Sequence, residues 1–443
     1  MLRSFWSMLL AILLTFVVGG VANAQTYDDN DDSSVGGVMI DAKGLLSLAS
    51  VDAMSRLEKA RRDALEPIAK GLDRENDARK VSLRGINETI LRCETAGEPI
   101  PDAVRYLGGL TAIEFVFIYP EQNDIVLVGP AEGWTVGPKG VIVGKKSGKP
   151  ILLLQDLVEA MNAAAGRERP IFSVSIDPSA EGLERMSAYA SSLGAARNPK
   201  AIAAGMEEAL GDQIVKIEGV PRDSHFAYVM AAADYRMKQI SMGATKSPLK
   251  SLPSFVSMMK SAAPSGALPR WWLAPNYETI TRDQEGLSWN LKGGSVLTCT
   301  ETEFLDRAQG AKGKPNEDFA RWAEKMTENY DDLARVEPIF GQLRNCMDCA
   351  FVAAIIAQSN AYERVDYAFE AMRTNPRVCA KFENVPQFAP SVSVVARKSG
   401  AIMFVTGGVS MNPWPTVLAS EKSPRLESMR SENQISGKSW WNN

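Results

Sequence analysis

The chain has 443 residues, with 49 Lys and Arg against 53 Asp and Glu, a net charge of −4 and 45% hydrophobic residues. That balance is ordinary for a globular protein, the length allows two or three domains, and nothing suggests a nucleic-acid binder, which would show a basic excess or a basic stripe. Five cysteines are too few for a disulfide scaffold, and their odd number leaves at least one thiol unpaired.

In chain order, the first element is an export signal. Arg3 supplies a positive start and Phe5 to Val18 is a nearly unbroken apolar run, too short to span a bilayer comfortably. Ala22-Asn23-Ala24 then offers the small side chains that signal peptidase accepts. The sequence therefore predicts a signal peptide over 1–24, cleavage between Ala24 and Gln25, and a periplasmic or extracellular mature protein. The alternative is an uncleaved anchor. No membrane span is expected after cleavage: the longest later apolar run follows Cys349 and ends at Gln358.

Residues 25–35, with Asp28, Asp29, Asp31 and Asp32, read as a flexible acidic leader. Over 36–100 a short strand at Gly36 to Asp41 precedes one or two amphipathic helices between Met54 and Asn87. Residues 101–310 read as an α/β core. Phe115 to Tyr119 and Ile125 to Val128 form a hairpin, followed by a strand at Val141 to Val143, a helix from Ile151 to Ala165 and a strand at Phe172 to Ile176. Asp177-Pro178 looks like the cap and first position of the next helix. A strand follows at Ile214 to Ile217, and Trp271 to Cys299 is β-rich with a turn at Gly293-Gly294. Residues 311–385 are a helical region, 386–415 a β-hairpin returning to the core, and 416–443 a disordered tail. Gly407 to Met411 echoes Gly36 to Ile40, so the two could be edge strands of one sheet. The fold class is α+β: a mixed sheet with flanking helices, a helical segment and a C-terminal hairpin.

Few residues carry chemistry. His225 is the only histidine, which excludes an HExxH helix and any multi-histidine metal site. It opens a predicted helix that Asp223 or Ser224 would cap. Asp234 and Lys238 fall one helical turn apart, and with Arg236 they either line a site or form internal ion pairs. Cys346-Met347-Asp348-Cys349 lies two turns inside a helix begun by Pro338, beyond the N-terminal dipole that activates redox thiols. Gly144 to Pro150 resembles a P-loop but is one residue short, with Pro150 where magnesium's Ser or Thr belongs. It reads as a basic turn. Asp28 to Met39 fails as a calcium loop because Ser33 replaces the glycine. No cofactor or metal is expected. Trp134, Arg270, Trp271 and Trp272, with Arg236, could form a binding face, or the tryptophans could be core.

Taken together, Asp124 to Trp134, His225-Phe226-Ala227, Ala233 to Lys238, Arg270-Trp271-Trp272 and Leu343-Arg344-Asn345 are similar to a planctomycete family of exported proteins, domain of unknown function 1598. The resemblance runs from Gly36 to Met411 and implies no activity, cofactor or partner. Apolar residues stand in that family's pattern where this chain has Cys346 and Cys349, which implies that the C-x-x-C is not essential.

Three functions remain in view. The first is a non-catalytic envelope or extracellular protein that binds a protein or glycan partner through the tryptophan face. The second is a hydrolase or transferase acting on envelope material through Glu121, Asp124, Glu132 or Asp234, with His225 as a further catalytic candidate. The third is a thiol redox role for Cys346.

Overall fold

The computed structural model describes residues 38–40, 46–48 and 51–443, except 167, 194–197, 260–268, 278, 310–312, 383, 396–401 and 436–438. The signal peptide, its cleavage point at Ala24 and Gln25, and the acidic leader lie outside the described residues.

The fold is α+β, built on two mixed sheets. A six-stranded sheet runs Ser295–Thr300, Arg270–Asn276, Thr406–Met411, Phe172–Asp177, Gln213–Glu218, Phe388–Ala389. All of its neighbours are antiparallel except Arg270–Asn276 with Thr406–Met411. A seven-stranded sheet runs Glu421–Lys422, Thr281–Arg282, Ser288–Asn290, Phe115–Tyr119, Asp124–Ala131, Asn76–Ser82, Trp441–Asn442. One continuous apolar core joins the inner residues of both sheets, Val116, Ile118, Ile125 and Leu127 from one and Phe172, Val174, Trp271 and Val409 from the other. The helices Leu154–Ala164, His225–Met242 and Pro338–Gln358 belong to the same core.

The expected hairpin is present: Phe115–Tyr119 pairs with Asp124–Ala131, and Asn123 at φ 52° makes the turn. Ser224 caps the helix His225–Met242 by accepting from Ala227 N, and Pro338 opens Pro338–Gln358. That last helix has 21 residues and a mean hydropathy of 1.3, enough to cross a membrane by length and composition. Within the protein, 83% of its apolar window is buried, which accounts for the hydrophobicity as core.

Several expectations are corrected. Between Met54 and Asn87 the chain is not only helical, because strand Asn76–Ser82 separates helices Val51–Ala64 and Leu83–Ala96. The strand was hidden because Arg79, rather than an apolar residue, points inward. Its buried guanidinium donates to the carbonyls of Leu72, Gly108, Gly71 and Arg74. Asp177-Pro178 does not cap the following helix; Ser179 does, accepting from Gly182 N. Thr406–Met411 is no edge strand. It lies between Arg270–Asn276 and Phe172–Asp177, while among the described residues Val38–Ile40 pairs with Leu46–Leu48 alone. Gly408 permits this interior place: a Cβ there would stand 2.0 Å from the Val174 carbonyl oxygen. Among the described residues, the C-terminal hairpin pairs Val394–Val395 with Ile402–Met403.

The described residues of the tail form regular elements, where the sequence predicts disorder. Residues 416–443 supply Glu421–Lys422, helix Arg425–Glu432 and Trp441–Asn442, and the two strands form the two edges of the seven-stranded sheet. Its polar composition hid this, because few of its side chains are buried.

Candidate functional site

Three of the predicted site residues, His225, Asp234 and Arg236, lie on one helix. Every residue of His225–Met242 except Tyr228 is buried, although the helix carries a histidine, an aspartate, an arginine and a lysine. A buried charge without partners is strongly unfavourable, so each must be answered from a neighbouring element.

At the start of this helix, His225 Nδ1 lies 3.0 Å from both carboxylate oxygens of Asp156. Its Nε2 faces the Gln342 amide nitrogen at 3.3 Å. An imidazole that donates from Nδ1 and accepts at Nε2 satisfies both contacts in its neutral form. Asp156 fixes the ring as the third member of a catalytic triad would, yet the second nitrogen meets an amide and not a nucleophile. Asp156 was missed in the sequence. The available signal was an acid in the first turn of an otherwise apolar stretch, Leu154, Leu157 and Val158.

Nine residues further, about 14 Å along the axis at 1.5 Å per residue, Asp234 and Lys238 face the six-stranded sheet. Lys238 Nζ donates to Asp234 Oδ2 at 2.7 Å and to the carbonyls of Ile176 and Gly407 at 3.1 Å each. All three ammonium donors are thereby satisfied. Burial pushes the Asp234 carboxyl up to about 6 despite the attraction of Lys238. Its Oδ1 is buried with no hydrogen-bond partner, as is Asp177 Oδ1. Asp177 Oδ2 meets Arg270 Nη2 at 3.3 Å, and Arg270 Nε lies 3.1 Å from Glu301, an ion pair by distance without an aligned hydrogen bond. Asp234, Asp177, Arg270 and Glu301 therefore form a string of charges from the core to a half-exposed rim.

Arg236 is an internal tie. Its Nε and Nη2 donate to Glu337 Oε1 at 3.2 and 2.6 Å, and Nη1 donates to Thr245. Lys139 takes the other Glu337 oxygen.

The tryptophans form no binding face. Trp134 is 1% exposed and packs edge-on to Tyr106 in a small satellite core, apart from the other two. Trp271 is 0% exposed, donates from Nε1 to the Phe319 carbonyl and lies 4.4 Å from the Trp322 ring. Trp272 is buried between Arg270 and Phe304. Only Arg270 reaches solvent appreciably, with a third of its side chain exposed.

The remaining carboxylates are scattered. Glu121 pairs with Arg430 at the surface. Asp124 accepts from Ser82 Oγ and from the amides of Arg84 and Ile125. Glu132 is buried and accepts from Lys146 N at 2.6 Å, Ser147 N at 3.2 Å and the Ser147 hydroxyl. It pins the basic turn and has no second carboxylate opposite it. The two-carboxylate cleft that a hydrolase requires is thus not formed by these four residues.

Cys346 and Cys349 are free, fully buried, and pushed well above the ordinary thiol range by burial. That is the opposite of an activated thiolate and removes the basis of the redox role. Among the described residues, no group of three or more His, Cys, Asp or Glu could hold a metal ion.

No curated protein and no solved structure matches the chain. Residues 174–255, from strand Phe172–Asp177 through the whole of His225–Met242, match the family model DUF1598, a protein of unknown function, the family that the sequence blocks resemble.

Proposed function

We propose that the chain is an exported, non-catalytic protein that serves a structural or binding role in the envelope or outside the cell. One observation carries this reading: the groups that would do chemistry are engaged in holding the fold. His225 is held between Asp156 and Gln342, Asp234 by Lys238, Arg236 by Glu337, and Glu132 by the turn that it pins. Export rests on the leader over 1–24 and its A-x-A site.

Two measurements test it. The chain is produced with its own leader and the exported fraction is sequenced from the N-terminus. Protein beginning at Gln25 is expected; an intact Met1 retained in the cytoplasm overturns export. The mature protein is then incubated with envelope glycan and peptide fragments and followed by mass spectrometry. Unchanged fragments are expected, and a product formed by the native protein but not by a heat-denatured control overturns the non-catalytic reading.

A further inference from the structure

The basic turn between Gly144 and Pro150 has no part in the buried network of His225–Met242, yet it is closed by several hydrogen bonds of its own. Glu132 accepts from its Lys146 and Ser147 amides. Gly144 N donates to Lys149 O at 2.8 Å, and Gly148, at φ 69°, donates to Gly144 O at 3.0 Å. Lys149 N donates to Ser147 Oγ at 3.1 Å. The turn therefore fixes the backbone of Lys149, and among the described residues no carboxylate pairs with its ammonium.

Opposite the turn, Asp331, Arg335, Gly341 and Arg344 complete a surface pocket whose near wall is Lys149 and Pro150. Its cavity volume is about 50 Å³. That accommodates a few waters or a single small charged group; a ligand-sized pocket is roughly 300 Å³ or more. Gly341 lets the walls meet, since a Cβ there would lie 2.7 Å from Pro150 Cδ.

The lining is cationic in a chain whose net charge is −4. Arg335 is occupied by Asp332 at 2.6 Å. Arg344 is only partly so: its Nη1 donates to Asp331 Oδ1 at 3.4 Å, long for a charge-assisted hydrogen bond, and its buried Nε–H has no partner. A guanidinium with an unused donor, next to an unpaired ammonium on a fixed turn, is the donor set that binds carboxylates and phosphates.

We infer that this pocket binds a small oxyanion, the carboxylate or phosphate group of a ligand, between Arg344 and Lys149. Asp331 competes with the ligand for Arg344, so it weakens binding. The inference depends neither on export nor on the absence of catalysis.

The test is thermal unfolding and calorimetric titration of the mature protein at constant ionic strength. Inorganic phosphate forms one arm and galacturonate the other, with sodium chloride as the control. A saturable rise in Tm is expected with at least one arm and not with chloride. A response to phosphate alone identifies a phosphate group as the natural ligand, and a response to galacturonate alone identifies a carboxylate. R344Q is expected to weaken binding by roughly tenfold or more, because it removes a charge-assisted partner. K149Q should weaken it by about threefold, and D331N should strengthen it. If R344Q does not fold, the opposite signs of K149Q and D331N at the protein surface decide. Absence of saturable stabilisation with either anion, or affinities unchanged in K149Q and D331N, overturns the inference.

Discussion

Asp124 lies where strand Asp124–Ala131 meets the start of helix Leu83–Ala96. It accepts from Ser82 Oγ at 2.6 Å, Arg84 N at 2.9 Å and Ile125 N at 2.8 Å. Burial pushes its carboxyl up to about 6, and these hydrogen bonds pull only part of the way back. In the unfolded chain the group returns to the usual range near 4. The fold therefore favours the protonated form. The stability this contributes is fully present below the unfolded value and is lost as the pH rises through about 6. D124N has no such dependence. Wild-type stability relative to D124N is expected to fall by on the order of 2 kcal/mol between pH 4.5 and pH 7, read by urea unfolding at the two pH values. An equal difference at both would show that the carboxyl is not perturbed. Asp124 looked catalytic in the sequence, yet its hydrogen-bond partners are two backbone amides and the serine that caps helix Leu83–Ala96.

At the scale of elements, His225–Met242 shows how a helix with charges on it can be core. The pair Asp234–Lys238 was legible as an i,i+4 spacing, and Ser224 as a cap. What periodicity could not show is that the opposite faces are buried as well. The partners, Ile176 O, Gly407 O, Glu337 and Asp156, come from segments far away in sequence. Elsewhere the alternating strands, the hairpin and the cap of His225–Met242 were legible because local rules determine them. Strand Asn76–Ser82 was not, because Arg79 occupies an inward position, and the interior place of Thr406–Met411 depends on glycines that let two distant strands approach. The buried pair makes a specific prediction. D234N leaves the Lys238 ammonium buried with two carbonyl oxygens and no counter-charge, and should cost about 3–5 kcal/mol. The double variant D234N/K238M removes both charges and is expected to recover most of that loss. The measurement is chemical unfolding of the two variants and wild type. A double variant as unstable as D234N alone would mean that the carboxylate supports the fold by something other than answering Lys238.

At the scale of the whole molecule, the C-terminal 24 residues act as a strap around the seven-stranded sheet. Glu421–Lys422 pairs with Thr281–Arg282 at one edge and Trp441–Asn442 with Asn76–Ser82 at the other. Between them, Met429 from helix Arg425–Glu432 and the nearby Ile435 pack on Phe117, Tyr119, Val126 and Val128. Tyr119 donates its hydroxyl to Arg430 O, Ser82 N donates to Trp440 O, and the buried Arg79 donates from Nε to Asn443. A chain ending at Ala419 loses all of these together. It exposes two strand edges and an aromatic face, and leaves Arg79 Nε without its partner. Unpaired edges beside exposed apolar surface are templates for association. The truncated chain is therefore expected to elute from size-exclusion chromatography as aggregates, or as a monomer whose Tm has fallen by 10 °C or more, roughly what several kcal/mol produces in a protein of this size. R79M in the full-length chain separates the two contributions. It removes the buried guanidinium and its carbonyl contacts but keeps both edges paired, so it should lower Tm without aggregation. A truncated chain that stays monomeric and unfolds at the wild-type temperature would show that the sheet is closed without its strap.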